Sequence, residues 1–277
     1  MTTETSPPKV VRQTAPTVAR PGRSALKIFL ATLLVLIAIG EIVPRTPLVN
    51  RVIVPTPGDT MVGLWQLLKG GYWLEDLWAT MLAVVIAWVI GCSVGFALGA
   101  VMGVSPFTRK IVAPYAIAVQ ALPKIVLAPL FIGWLGFGTP SKVAIAVSIC
   151  FFPVWVDTMI GLSLPSSDDF KLMQSLRASR WQIFRKLQLP TALPLVIVGF
   201  KHAMLLSFTG VLVAEILSSS AGGLGTLTKS FALQINMPLV FAVVLIVIVI
   251  AVTLVTVLDF LEQRVVFWSE AAQRRRR

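Results

Sequence analysis

The sequence predicts an all-α membrane protein with six transmembrane helices and an amphipathic cytoplasmic helix between the fourth and the fifth. Three observations lead there. The chain is 56% hydrophobic and only 13% charged, about half the charged share of a typical soluble domain, and its mean hydropathy is +0.86. Six apolar runs divide it, each with roughly the 20 residues that a bilayer crossing requires. The Lys and Arg residues then collect on one side of those runs, as cytoplasmic loops of membrane proteins do.

Residues 1–25 are rich in Pro, Thr and Arg without apolar periodicity and are expected to form a disordered tail. The first run, 26–43, has a long charged leader, and no small-x-small cleavage site follows "LATLLVLIAIGEIVP". It reads as an uncleaved crossing rather than a signal peptide. Between it and the second run, "VPTPGDTMVGLWQLLKGGYW" is too short and too interrupted to span. Pro57 can open a helix there, and Trp65, Tyr72 and Trp73 suit the outer membrane interface.

The later runs cover 77–104, 111–135, 141–162, 193–217 and 239–258. With no water to satisfy a free backbone, each is expected to be helical. Six crossings put both termini on one side. That side holds 17 Lys and Arg, from Lys9, Arg12, Arg20, Arg23 and Lys27 through Arg109, Lys110 and the 171–186 cluster to Arg264 and the terminal run 274–277. The other side holds five, and Lys124 and Lys201 lie in or near the spans. Both termini are therefore expected inside. The net charge of +12 is accounted for by membrane topology without nucleic acid. The expected organisation is a tail to residue 25, a transmembrane domain over 26–265 and a basic cytoplasmic tail over 266–277.

Within the second run, Gly91, Gly95, Gly99 and Gly103 recur every four residues. Such a face permits close backbone approach, within the subunit or between subunits. "LPKIVLAPL" and "FFPVW" place prolines inside the third and fourth runs. Broken helices of this kind line transport paths or merely kink. Ionisable residues within spans are costly and often functional. Asp157, Glu215, Lys201 and Lys124 are the translocation-pathway candidates, with structural pairing or snorkelling as the alternative. Cys92 and Cys150 sit in apolar runs as small hydrophobes. The single His202 makes no metal site, no G-x-x-x-x-G-K-[ST] loop occurs, and no cofactor is expected.

From Lys171 to Leu189 the apolar residues Leu172, Met173, Leu176, Ile183, Phe184 and Leu187 recur at helical steps among Arg and Lys. An amphipathic helix ended by Pro190 is expected. Its partner is an anionic lipid surface or a groove on a cytoplasmic protein.

"QSLRASRWQIFRKLQLPTALPLVIVGF" resembles the cytoplasmic loop signature of binding-protein-dependent ABC importer permeases, loosely E-A-A, three residues, Gly, about nine residues, then a hydrophobic residue-x-Leu-Pro. Leu187, Leu189 and Pro190 fit its end. "VPTPGDTMVGLWQLLKGG", "ALPKIVLAPLFIGWLGFGTPSKVAIAVSICFFPVWVDTMIGL" and "SSSAGGLGTL" are similar to the nitrate, sulfonate and taurine branch of that family, over roughly residues 54–265. Two departures stand out. Lys171, Leu172 and Met173 replace E-A-A, and the motif glycine falls on Arg177.

The resemblance implies a type I importer fold and no enzymatic activity on this chain. It implies a homodimer of permeases, two cytoplasmic ABC ATPase subunits that use the ATP, and an extracytoplasmic solute-binding protein, in a bacterial inner membrane and its lipid. Leu176, Arg177, Ser179, Arg180, Trp181 and Phe184 would then contact the ATPase, with Trp181 and Phe184, three apart, sharing one face as anchors. Two other classes compete. A membrane enzyme lacks any paired-carboxylate, metal or Ser/His constellation. A stand-alone channel or ion-coupled carrier would use Asp157 and Glu215. The solute is not legible: the branch takes sulfonates, nitrate, and pyrimidine or flavin precursors.

Overall fold

A computed structural model describes residues 23–46, 53–218 and 222–265. The expected C-terminal tail lies outside these residues, as does the N-terminal tail up to residue 22. Among the described residues there is helix and no strand.

The helices are α1 (Arg23–Ile42), α2 (Pro57–Gly70), α3 (Trp73–Val104), α4 (Pro106–Ala121), α5 (Ala128–Leu135), α6 (Thr139–Leu162), α7 (Ser167–Ser175), α8 (Arg180–Ile183), α9 (Leu189–Leu217), α10 (Leu224–Leu233) and α11 (Met237–Val265). Helix α1 begins three residues before the expected domain boundary at 26. Four helical segments are long and apolar enough to cross a membrane: Trp73–Val104, Thr139–Leu162, Arg180–Leu217 and Met237–Arg264. A bent pair, Phe107–Ala121 with Lys124–Leu135, makes a fifth if it counts as one span. By length and composition the described residues thus give four or five crossings, against the six expected.

The bend falls in the third expected crossing and measures 82°. Pro123 cannot donate a backbone hydrogen bond, and it forces Leu122 out of the helical region to φ −68°, ψ 129°. By contrast α6 runs through Pro153 and α9 through Pro194 without ending.

Helices α3, α6 and α9 pack into a central three-helix core. The glycine face of α3 makes this possible. A Cβ at Gly95 would lie 2.4 Å from the Phe151 carbonyl oxygen, and one at Gly99 would lie 2.6 Å from that of Trp155. Gly91 meets Cys150 and Gly103 meets Leu162 in the same way, so the whole face belongs to the α3–α6 contact within the subunit. Small residues also bring α9 onto α6, where Gly161 meets Ala192, Gly199 meets Asp157 and Gly210 meets Ala146. With so little side chain between the backbones, dispersion contacts hold the helices together where lipid offers no hydrophobic drive.

Around this core, α11 packs on α2, α9 and α10. Helix α2 starts where expected: Pro57 occupies its first turn and Thr56 with Asp59 forms a capping box. Trp65 is exposed and carries Lys69 over its ring at 4.9 Å, an arrangement suited to a membrane interface. A cluster of Leu67, Leu224, Phe231, Ala242, Val243 and Ile246 joins α2, α10 and α11.

Candidate functional site

The basic stretch between α6 and α9 builds the candidate site, at one end of the core. It is not the single amphipathic helix expected over Lys171–Leu189. It folds as α7, a tight turn, α8 and a π-helical turn (Phe184–Gln188) that leads into α9. Local capping explains the division. Ser166 accepts from the Asp169 amide while Asp169 accepts from the Ser166 amide and hydroxyl. The Ser166 hydroxyl, then its amide, hold the Asp169 carboxyl below the usual carboxylate range. Asp168 and Asp169 both complement the positive end of the helix.

Helix α7 is closed by Arg177, just past its C-cap Leu176. The Arg177 amide donates to Gln174 O at 2.9 Å, and the next amide, of Ala178, reaches back to Met173 O at 3.0 Å. This is a Schellman-type ending, and it requires a left-handed residue. Arg177 supplies it at φ 53°, the position where the resembled signature carries glycine. A second capping box, Ser179 with Gln182, opens α8.

Pro190 does not end a helix, which corrects the sequence reading. Arg180–Leu217 is continuous over 38 residues. The π turn just before Pro190 shifts the hydrogen-bond ladder, so the missing amide of Pro190 falls in the first turn of α9. Gln188 is buried there, and its side-chain amide donates to Leu162 O at 3.1 Å. The segment is thereby tied to the C-terminal end of α6.

Leu172, Leu176 and Trp181 are exposed, at 61%, 70% and 67%, with Arg177, Ser179 and Arg180 exposed beside them. Trp181 and Phe184 stack, with ring centroids 5.6 Å apart and planes at 26°. The two rings thus lie on one face, with Trp181 exposed and Phe184 half-buried. Phe184 packs inward against Leu162, Ala192 and Val196, so it seats the exposed Trp181. Sequence reasoning missed Gln188, and it named Leu172 as an apolar position of the helix without counting it among the contact residues. The Ser-x-x-Asp and Ser-x-x-Gln spacings were the available signals for its two capped helices.

The four ionisable pathway candidates are not brought together. Lys124 lies over the Phe152 ring at 5.4 Å. Lys201 is bound by Asp259 of α11 and by Glu262 at 2.7 Å, which makes it a pairing residue between α9 and α11. Asp157 faces His202 across 3.8 Å, and His202 is exposed. Glu215 is fully buried among α3, α6, α9 and α10, a placement that fits structural pairing, the alternative to a pathway role. Its partner Lys142 is buried with it.

The family described as binding-protein-dependent transport system inner membrane component matches residues 91–267. The putative aliphatic sulfonates transport permease protein SsuC of Bacillus subtilis (strain 168) is 27% identical over 73% of this chain and 74% of its own. The formylaminopyrimidine transport permease protein ThiX of Halalkalibacterium halodurans is 33% identical over 61% of this chain and 69% of its own. A chain of the MetNI methionine ABC transporter in an inward-facing conformation superposes with a TM-score of 0.62 at 15% identity, over 69% of this chain and 94% of that one, and so shares the fold. The relatives are transport permeases rather than enzymes, and in this family ATP is hydrolysed on a separate subunit. The chain belongs to the inner membrane components of binding-protein-dependent ABC transport systems.

Proposed function

We propose that this chain is the permease of an ATP-driven importer that moves a small solute, of the sulfonate, taurine or nitrate kind or a related pyrimidine or flavin precursor, into the cytoplasm by alternating access. Two copies would pair as a homodimer in the inner membrane, with two ATPase subunits on the cytoplasmic side and a solute-binding protein outside. Six crossings, α1 and the bent pair included, would put both termini in the cytoplasm. The chain would carry no cofactor, since ATP would be used by the partner.

The observation that carries this reading is the exposure of three apolar side chains, Leu172, Leu176 and Trp181, on a doubly capped segment whose second helix opens a 38-residue span. Exposed apolar anchors rimmed by cations fit a groove on a partner. The rigid helix behind them gives movement at that groove a route into the membrane. Asp157 with His202 and Lys124 beside its proline bend are the pathway candidates that remain open.

An ion-coupled carrier is the second reading, favoured by the Asp157–His202 pair within the span region. Reconstitution in proteoliposomes separates the two. Uptake that requires the cognate ATPase, ATP and the binding protein supports the importer. Uptake driven by an ion gradient in the permease alone overturns it.

A further inference from the structure

The opposite end of the core holds a polar knot to which nothing so far assigns a role. Three successive amides at the start of α10 donate to side chains of other helices. Gly223 N donates to Asp76 Oδ1 at 2.6 Å, Leu224 N to Thr80 Oγ1 at 2.9 Å, and Gly225 N to Glu215 Oε2 at 2.9 Å. Thr80 donates its own proton to Glu215, with both carboxylate oxygens near 3 Å (3.0 and 3.1 Å). Lys142 Nζ lies 3.4 Å from Glu215 Oε1 and donates to Gly222 O at 2.8 Å. Glu215 and Thr80 have no exposure and Lys142 has 3%. Helix starts leave amides unsatisfied; here two acidic residues and a threonine from α3 and α9 satisfy them.

The backbone is shaped to this knot. Gly223 sits at φ 122°, and a Cβ there would fall 2.1 Å from Glu215 Oε1. No other residue fits between the loop and the carboxylate. A buried ion pair adds little stability over apolar residues of similar volume. Its use lies in fixing one geometry, which here joins α3, α6, α9 and α10.

Two of those helices also end at the coupling segment. Helix α6 carries Lys142 in its first turn and offers Leu162 O to Gln188 at its last. The continuous helix Arg180–Leu217 carries Arg180 and Trp181 at one end and Glu215 at the other, about 50 Å apart at the helical rise. We propose that Lys142 and Glu215 are positioning residues that lock the outer segment Gly222–Leu233 to α6 and α9, so that movement imposed at the cytoplasmic segment reaches the outer mouth as rigid-body motion. The role rests on the importer reading and adds the outer part of its transmission.

The test uses the complete importer in proteoliposomes, with wild type, Glu215→Gln and the double variant Lys142→Met/Glu215→Gln. The double variant leaves no buried charge unpaired and keeps side-chain bulk, so it decides the matter if the single variant does not accumulate. Hydrogen exchange of the 222–233 peptide and solute moved per ATP hydrolysed are measured, the former in nucleotide-free and nucleotide-trapped complexes. In wild type the peptide is expected to stay protected in both states. In the variants its exchange rises, basal ATP hydrolysis holds, and solute moved per ATP falls about fivefold or more, the low end of couplings between sites. A merely structural knot would raise exchange and lower membrane levels without changing solute moved per ATP, and that result overturns the proposal. So does a wild-type peptide that loses protection on nucleotide trapping. A wild-type complex without ATP-dependent uptake sinks the importer reading itself, and the transmission role with it.

Discussion

Gln188 reaches from the π turn to the last turn of α6, where its side-chain amide donates to the Leu162 carbonyl at 3.1 Å. Both groups are buried, so neither has water as a substitute. Replacing Gln188 by Leu keeps the bulk and leaves the carbonyl unpaired. A loss of about 1–3 kcal/mol is expected for a buried acceptor left without a partner. Thermal unfolding of the purified permease should show it as a lower midpoint, and an unchanged midpoint would remove Gln188 from the joint.

The α3–α6 contact makes a sharper demand. Gly95 and Gly99 have no room even for a methyl group, because the atoms they would strike are backbone carbonyls at 2.4 and 2.6 Å. Gly95→Ala is expected to cost about 1–3 kcal/mol by overpacking, and Gly95→Leu or Gly99→Leu to prevent accumulation in the membrane. Normal levels and transport in the Leu variants would show that the helices separate without penalty.

Arg177 offers the reverse experiment. Its φ of 53° costs a residue with a Cβ roughly 1 kcal/mol, and glycine adopts it freely. Arg177→Gly should hold the turn at least as well as wild type. Arg177→Val, with a branched Cβ at positive φ, should loosen it. Hydrogen exchange across 172–179 reads the difference: slower or equal for Gly, faster for Val. Equal exchange in all three would mean that the turn is set elsewhere.

The glycines and Arg177 show what was legible in the sequence. The glycine spacing at 91, 95, 99 and 103 announced a close contact, and the structure supplied its partner, because spacing names a face without naming what meets it. Arg177 was legible only through resemblance, since arginine itself carries no turn signal. The single amphipathic helix was a misreading, because the apolar period continues through Leu176 while the capping boxes at Ser166 and Ser179 mark two separate starts. The buried Lys142–Glu215 pair was not legible at all. The two residues lie 73 positions apart, and only the packing of α6 on α9 brings them together.

Topology is open to direct measurement. With 17 Lys and Arg on the proposed cytoplasmic side and five opposite, both termini are expected inside. Reporter fusions after Arg277 and after Gln234, in the turn between α10 and α11, should report opposite sides. Agreement between the two would defeat the arrangement.

Trp181 and Phe184 separate docking from folding within a single aromatic stack. Trp181 is 67% exposed, so its removal takes little from the permease itself. Phe184 lies on Leu162, Ala192 and Val196, where α6 and α9 meet. Half-buried, it contributes roughly 1 kcal/mol of burial and gives Trp181 its seat. Trp181→Ala is therefore expected to leave membrane level and melting midpoint near wild type while co-purification of the ATPase falls tenfold or more, the scale of an aromatic anchor worth about 2 kcal/mol. Phe184→Ala should lower both the midpoint and ATPase capture, because it undermines the helix and the anchor together. Phe184→Leu, which refills the apolar contact without the ring, should recover the midpoint but only part of the capture. Binding of the segment to anionic lipid predicts a different pattern: the ATPase still co-purifies with Trp181→Ala, and solute-stimulated hydrolysis is retained. Intact capture and stimulated hydrolysis in that variant would overturn the assignment of 167–188 as the ATPase contact.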